Sequence, residues 1–148
     1  MSENKNLSAK AYLGQLQELD TFINQDIERL SDMKLGATST GAIRYDKERV
    51  QTSPQNTLER QVCNYVTYEE MLNAKIDAFV DAKETIIEQI RGLHQNNYIQ
   101  VLYKVYVQFK SLRTAAKEMK MSYSYVIELH QKALSCFEET YTNLSYLT

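Results

Sequence analysis

Apolar residues recur at steps of three and four along most of the chain, the period of amphipathic helices. From about Leu7 to Lys34, Tyr12, Leu16, Leu19, Ile23, Ile27, Leu30 and Met33 form one stripe. Glu18, Asp20, Asp26, Glu28 and Asp32 fall largely on the other face, and Gly14 is the one breaker, so a long amphipathic helix is expected. A second stripe begins after Ser53-Pro54, where Ser can cap and Pro can occupy the first turn. It runs through positions 58, 62, 65, 69, 72, 76, 79, 83, 86, 90 and 93, and only Glu69 and Lys83 depart from the apolar rule. A heptad sustained this far predicts a coiled-coil seam, with Leu72, Ile76, Phe79, Ile86 and Ile90 as its core. At about 1.5 Å per residue such a helix spans roughly 50 Å. Gly36 to Ser53 interrupts the pattern and is expected to be a long loop that lets the first helix fold back antiparallel on the second. Arg44, Lys47 and Arg49 in it alternate with Asp46 and Glu48, which favours a solvated mixed-charge segment over a site for an acidic partner.

Gly92 to Asn97 reads as a hinge, and shorter periodic segments follow it. Tyr98, Leu102, Val105 and Phe109 make a first helix. Ser111 can cap a second over Leu112 to Met119, and Ser122 a third carrying Val126, Leu129 and Ala133 on one face. Two short helices across a tight turn are the layout of a helix-turn-helix. Its turn often carries Gly; here Lys120 stands in it, and because Lys is strained at positive φ a reshaped turn is expected. Leu134, Phe137, Tyr141 and Leu144 continue the last stripe, and the end from Ser145 to Thr148 is expected to fray. The predicted fold is all-α: a coiled-coil-like antiparallel helical hairpin over 7–93, with loop 36–53, then a helix-turn-helix domain over 97–144.

With 148 residues, one Pro, four Gly and 43% hydrophobic residues, the chain has the composition of a helical protein with a core of its own. No apolar run approaches a membrane span, and the polar start lacks a signal-peptide core, so a cytoplasmic protein is expected. Cys63 and Cys136 are isolated, without CxxC or a His pair, so neither a metal nor another cofactor is expected. The net charge of −2 hides an asymmetry: residues 1–90 hold 10 basic and 15 acidic side chains, residues 91–148 hold 7 and 4. The basic excess coincides with the helix-turn-helix, as a phosphate-binding surface requires.

Ser111-Leu112-x-x-Ala115-Ala116-x-x-Met119-x-Met121-Ser122-x-x-x-Val126 resembles the fourth region of bacterial sigma factors. In that resemblance Ala116 is the small residue that allows close helix crossing, and Val126 packs back onto the first helix. Taken with the segment Arg49-Val50-Gln51-Thr52-Ser53 and the ending Leu129-His130-x-Lys132-Ala133-Leu134, nearly the whole chain resembles short proteins of Gram-positive phages grouped with the ArpU-type late transcriptional regulators. The resemblance implies regulation of phage or prophage genes through promoter DNA or RNA polymerase, in a bacterial host cell.

On the third helix of the C-terminal part, Tyr123, Ser124, Tyr125, Glu128 and Gln131 are the candidates to face bases, and Ile127 is also unneeded for packing. Arg113, Lys117, Lys120, His130 and Lys132 are the candidates for phosphate contact or, for His130, packing. No Arg stands on that helix, and Glu128 repels a phosphate backbone unless it accepts from a base amine. A protein-interaction module that contacts polymerase or another phage regulator without reading DNA is therefore the alternative, with a terminase-small-subunit-like packaging protein behind it. Glu69-Glu70, Glu138-Glu139 and the two His lack partner motifs, and there is no phosphate loop or nucleophile elbow, so neither an enzyme nor a small-molecule substrate is expected. The wide apolar stripe, with Val66, Met71, Val80 and Ile87 beside the seam, predicts a homodimer.

Overall fold

A computed structural model describes residues 6–43 and 54–147, with side chains over 6–37 and 57–147. The described residues are all-helical and contain no strand. Helix α1 spans Ala9–Ile43, α2 Pro54–Arg91, α3 Asn96–Leu102, α4 Leu112–Met119 and α5 Tyr123–Thr140. A π-helical turn, Tyr103–Val107, continues α3. None of these helices is long and apolar enough to cross a membrane.

Two compact units divide the chain: residues 1–20 with 79–148, and residues 21–78. The division therefore falls within α1 and α2, whereas the sequence pattern places a hinge at Gly92 to Asn97. The cause is the core of the first unit. Leu13 and Leu16 of α1, Ile86 and Ile90 of α2, Val101 and Leu102 of α3, and Val126 and Phe137 of α5 are fully buried in one cluster. Each such side chain contributes about 1.5–3 kcal/mol on burial, so the C-terminal helices share their core with both long helices.

Polar contacts fasten the same unit. Ser8 accepts from Ala11 N–H at 3.2 Å, and Glu138 Oε1 of α5 accepts from Ala9 N–H at 2.7 Å, which satisfies two donors at the start of α1. After Thr140 the backbone becomes extended and residues 141–147 lie along α1. Leu7 N–H donates to Leu144 O at 2.9 Å, and Leu144 itself is buried. Gln15, buried on α1, accepts from Leu147 N–H at 2.9 Å and donates to Ser145 O at 3.4 Å. The expected fraying at Ser145 is thus corrected: Gln15 holds both backbone groups. Thr148 lies outside the described residues.

In the unit of residues 21–78, Asp26 of α1 accepts from Tyr68 at 2.9 Å and from Lys75 at 3.1 Å. The Tyr68 hydrogen bond, then Lys75, holds the Asp26 carboxyl below the usual carboxylate range. Arg29 lies over the Tyr68 ring, and Lys34 reaches Glu69 at 3.2 Å and the Tyr65 ring. Leu72 and Ala37 are buried here, while Ile23, Leu30, Met33, Val62, Tyr65 and Ile76 are half-buried.

Two expectations about helix limits need correction. The loop expected from Gly36 is helical to Ile43, because neither Gly36 nor Gly41 stops α1. The remainder, 44–53, which includes Arg44, Lys47, Arg49 and the Val50-Gln51-Thr52-Ser53 segment, lies outside the described residues. The single helix expected over Tyr98–Phe109 changes to π geometry at Tyr103, and Phe109 closes it with φ of 58°. That conformation costs an L-residue about 1–2 kcal/mol. Packing the Phe109 ring against the core offsets it.

Candidate nucleic-acid interface

Local sequence explains how α4 and α5 begin and end. Ser111 Oγ accepts from Thr114 N–H at 3.1 Å, and Ser122 Oγ from Tyr125 N–H at 3.2 Å, so each expected N-cap performs its role. Between the helices, Lys120 adopts φ 57°, ψ 44°. Its N–H donates to Lys117 O at 3.2 Å, and Met121 N–H to Ala116 O at 3.0 Å. This paired arrangement is a Schellman ending, made here without glycine. The turn is not reshaped to spare Lys120, as expected from sequence; Lys120 takes the strained conformation itself. Ala115 and Ala116 are buried, and their small side chains let α4 pack on α5.

One face of α5 is buried through Val126, Leu129, His130, Ala133, Leu134 and Phe137. The opposite face presents Tyr123, Ser124, Tyr125, Ile127, Glu128, Gln131 and Lys132, all exposed. All five residues expected to face bases are on this surface. Ile127, absent from that group, joins them; its exposure on a helix that buries six neighbours is the signal. Arg113, Lys117 and Lys120 are exposed on α4 and its turn. Arg113 lies over the Tyr123 ring at 4.5 Å, a cation–π contact that links the starts of α4 and α5.

The cations of this region fall into two groups. Glu118 pairs with Lys110 at 2.6 Å and Lys104 at 3.6 Å. The hydrogen bond from Lys110, supported by both lysine charges, holds the Glu118 carboxyl below its usual range. Arg113, Lys117, Lys120 and Lys132 have no carboxylate partner in an ion pair among the described residues. They leave positive charge available beside the exposed face of α5.

His130 is the exception among the phosphate candidates. It is 5% exposed, its Nε2 is 2.7 Å from the Tyr106 hydroxyl, and the two rings stack at 5.6 Å. Burial, with a smaller effect of the Lys10 charge, lowers its pKa, so the ring is neutral at pH 7. A buried neutral imidazole does not contact phosphate, and His130 is a packing residue. Burial likewise pushes the Tyr106 hydroxyl up to about 12.

The expected oligomer seam also changes. Ile86 and Ile90 are fully buried inside the chain's own core, and Phe79 packs against it, so the first two are unavailable to a second copy. Leu72 is buried and Ile76 half-buried in the other unit. Phe22, Ile27, Leu35, Leu58, Val66 and Met71 are the large apolar residues left exposed among the described residues of that unit. Ile87, expected beside the seam, is half-buried against the core.

A shallow cavity of about 360 Å³ lies between Tyr12, Gln89, residues 140–145 and Leu147. Tyr12 donates to Gln89 Oε1 and Tyr141 to Gln89 O, both at 2.7 Å, so its main polar groups already serve each other. No cluster of His, Cys, Asp and Glu able to hold a metal occurs among the described residues. No family model, curated protein or solved structure matches the chain.

Proposed function

We propose that the chain is a DNA-binding transcriptional regulator of phage or prophage genes. In this reading α4, the Lys120 turn and α5 form a helix-turn-helix, and α5 enters the major groove. The observation that carries the proposal is the exposed face of α5 bordered by Arg113, Lys117, Lys120 and Lys132, which form no ion pair with a carboxylate among the described residues. Close α4–α5 packing at Ala116 and Val126 supports the resemblance to sigma region four, with promoter DNA or host RNA polymerase as the target. No catalytic role, cofactor or small-molecule substrate belongs to this reading, and its setting is the bacterial cytoplasm.

A mobility shift with promoter DNA from the encoding genome tests it. Binding should weaken steeply with salt, since the slope follows about 0.9 per neutralised phosphate. Joint replacement of Arg113, Lys117 and Lys120 by Ala should lower affinity and remove up to about three units of that slope. Unchanged affinity would show that this is not the phosphate face.

Glu128 and the exposed Tyr123, Tyr125 and Ile127 favour a second reading, in which the same face binds polymerase or another phage regulator and not DNA. Pull-down of polymerase without a DNA shift would establish it. A packaging role like that of terminase small subunits ranks third, and an assembly of eight or more subunits would revive it.

Residues 21–78 support an antiparallel helical hairpin, because Asp26 meets Tyr68 and Lys75 while Lys34, further along α1, meets Tyr65 and Glu69. A homodimer through its exposed apolar residues is part of the proposal. Sedimentation at micromolar concentration checks it, and a monomer mass would exclude it.

A further inference from the structure

The exposed face of α5 has a chemistry that a phosphate-binding surface does not need. Tyr123, Tyr125 and Ile127 stand 40%, 47% and 37% exposed within its first two turns. Tyr123, Ile127 and Gln131 are four residues apart and line one ridge of the helix. Ser124, Glu128 and Lys132 line the next. The first ridge carries no charge. Arg113 from α4 lies over the Tyr123 ring at the start of this ridge, 4.5 Å from its centroid.

Each base pair shows the major groove a distinct edge. Thymine adds a 5-methyl group, adenine a paired donor and acceptor, and guanine only acceptors. Arg and Lys read guanine, but α5 carries a single cation, Lys132, in its third turn on the flank of the face. Glu128, central on that face, accepts hydrogen bonds only, so it is repelled by the O6 and N7 of guanine and matched by the amines of adenine and cytosine. Ile127 and the Tyr123 ring match thymine methyls, and Gln131 matches the N6 and N7 of adenine. The cations at the border supply the charge complement to the phosphates on either side.

Resting on the regulatory reading above, we propose that the Tyr123–Ile127–Gln131 ridge selects A·T-rich duplex DNA by its thymine 5-methyl groups, and that Glu128 excludes guanine from the strand it faces. The face is in this respect a reader of apolar base edges, and the guanidinium beside it serves the backbone.

Selection of the full chain on a random duplex pool at low salt gives the first test, and thymine replaced by deoxyuridine in the selected duplex gives the second. Deoxyuridine pairs identically but lacks the methyl. Selected sites should be A·T-rich, and each contacted methyl removed should weaken binding about fourfold, the equivalent of one buried methylene. Ile127→Ala should lose about fourfold of the thymine–deoxyuridine difference, the share of one methyl contact, while keeping the salt slope of the parent chain. Because Ile127 is exposed, the variant's circular dichroism should match the parent. A G·C-rich selected site, or equal affinity for both duplexes in the parent chain, overturns this proposal and leaves DNA binding standing. Undiminished discrimination in Ile127→Ala overturns the assignment of the ridge. Failure to bind any duplex overturns both this proposal and the regulatory reading beneath it.

Discussion

Replacing Tyr106 by Phe removes one oxygen from the core and leaves everything else in place. The hydroxyl lies 2.7 Å from His130 Nε2, and the two residues are 8% and 5% exposed. A neutral imidazole and a hydroxyl satisfy each other in one hydrogen bond whichever ring nitrogen carries the proton. Loss of the hydroxyl strands a buried ring nitrogen, which costs about 1–3 kcal/mol. A loss near 2 kcal/mol lowers the melting temperature by roughly 4–8 °C for a chain of this size. His130→Leu alone strands the hydroxyl and should cost a similar amount. The double variant leaves neither group unpaired, so its loss should be well below the sum of the two. The pair also has a pH signature. The folded-state pKa of His130 is depressed below 6.5, so the unfolded chain binds the extra proton first. Its contribution is present above about pH 6.5 and is lost as pH falls through the folded pKa, by at most about 1.4 kcal/mol per pH unit. Urea unfolding followed by circular dichroism between pH 5 and 7.5 reads both effects. Equal stability of Tyr106→Phe and the parent, or the same pH slope in the parent and His130→Leu, would refute the argument.

Three further outcomes follow from local geometry. Gly92→Ala puts a Cβ into the Tyr141 hydroxyl; thermal melts should show a loss of about 1–3 kcal/mol, partly recovered by adding Tyr141→Phe. Lys120→Gly relieves the left-handed backbone at the α4 ending and should raise stability by about 1 kcal/mol in the same assay. Gln15→Ala frees Leu147 N–H and Ser145 O, so limited proteolysis should cut within 141–147 faster than in the parent chain.

Much of the C-terminal structure was legible because its signals are local. Ser111 and Ser122 announce their helices by side-chain chemistry alone, and α4 has the limits their placement predicts. The outward face of α5 follows from the spacing of Val126, Leu129 and Ala133. The heptad of α2 was equally plain, but periodicity identifies a buried stripe and not what covers it. Ile86 and Ile90 turn out to share a core with Leu102 and Phe137, more than ten residues away in sequence. His130 falls on the buried face by its register between Val126 and Ala133, but its polar type pointed outward; Tyr106, 24 positions away, supplies the partner that satisfies it there. The π turn before Phe109 was illegible for a similar reason, since ring burial compensates a backbone that local propensity disfavours.

Because α1 and α2 each contribute to both compact units, α4 and α5 cannot travel as a cassette. A fragment beginning near residue 97 would leave Leu13, Leu16, Ile86 and Ile90 behind and open Val101, Leu102 and Phe137 to water. Recombination that joins such a fragment to another arm would have to bring a replacement for that shared core. Inheritance is therefore expected to keep the long helices and the C-terminal helices together, with exchange confined to substitutions on the exposed face of α5. Under the proposed function, changes of target would then accumulate at Tyr123, Ile127, Glu128 and Gln131, while the helices behind them pass on as one piece.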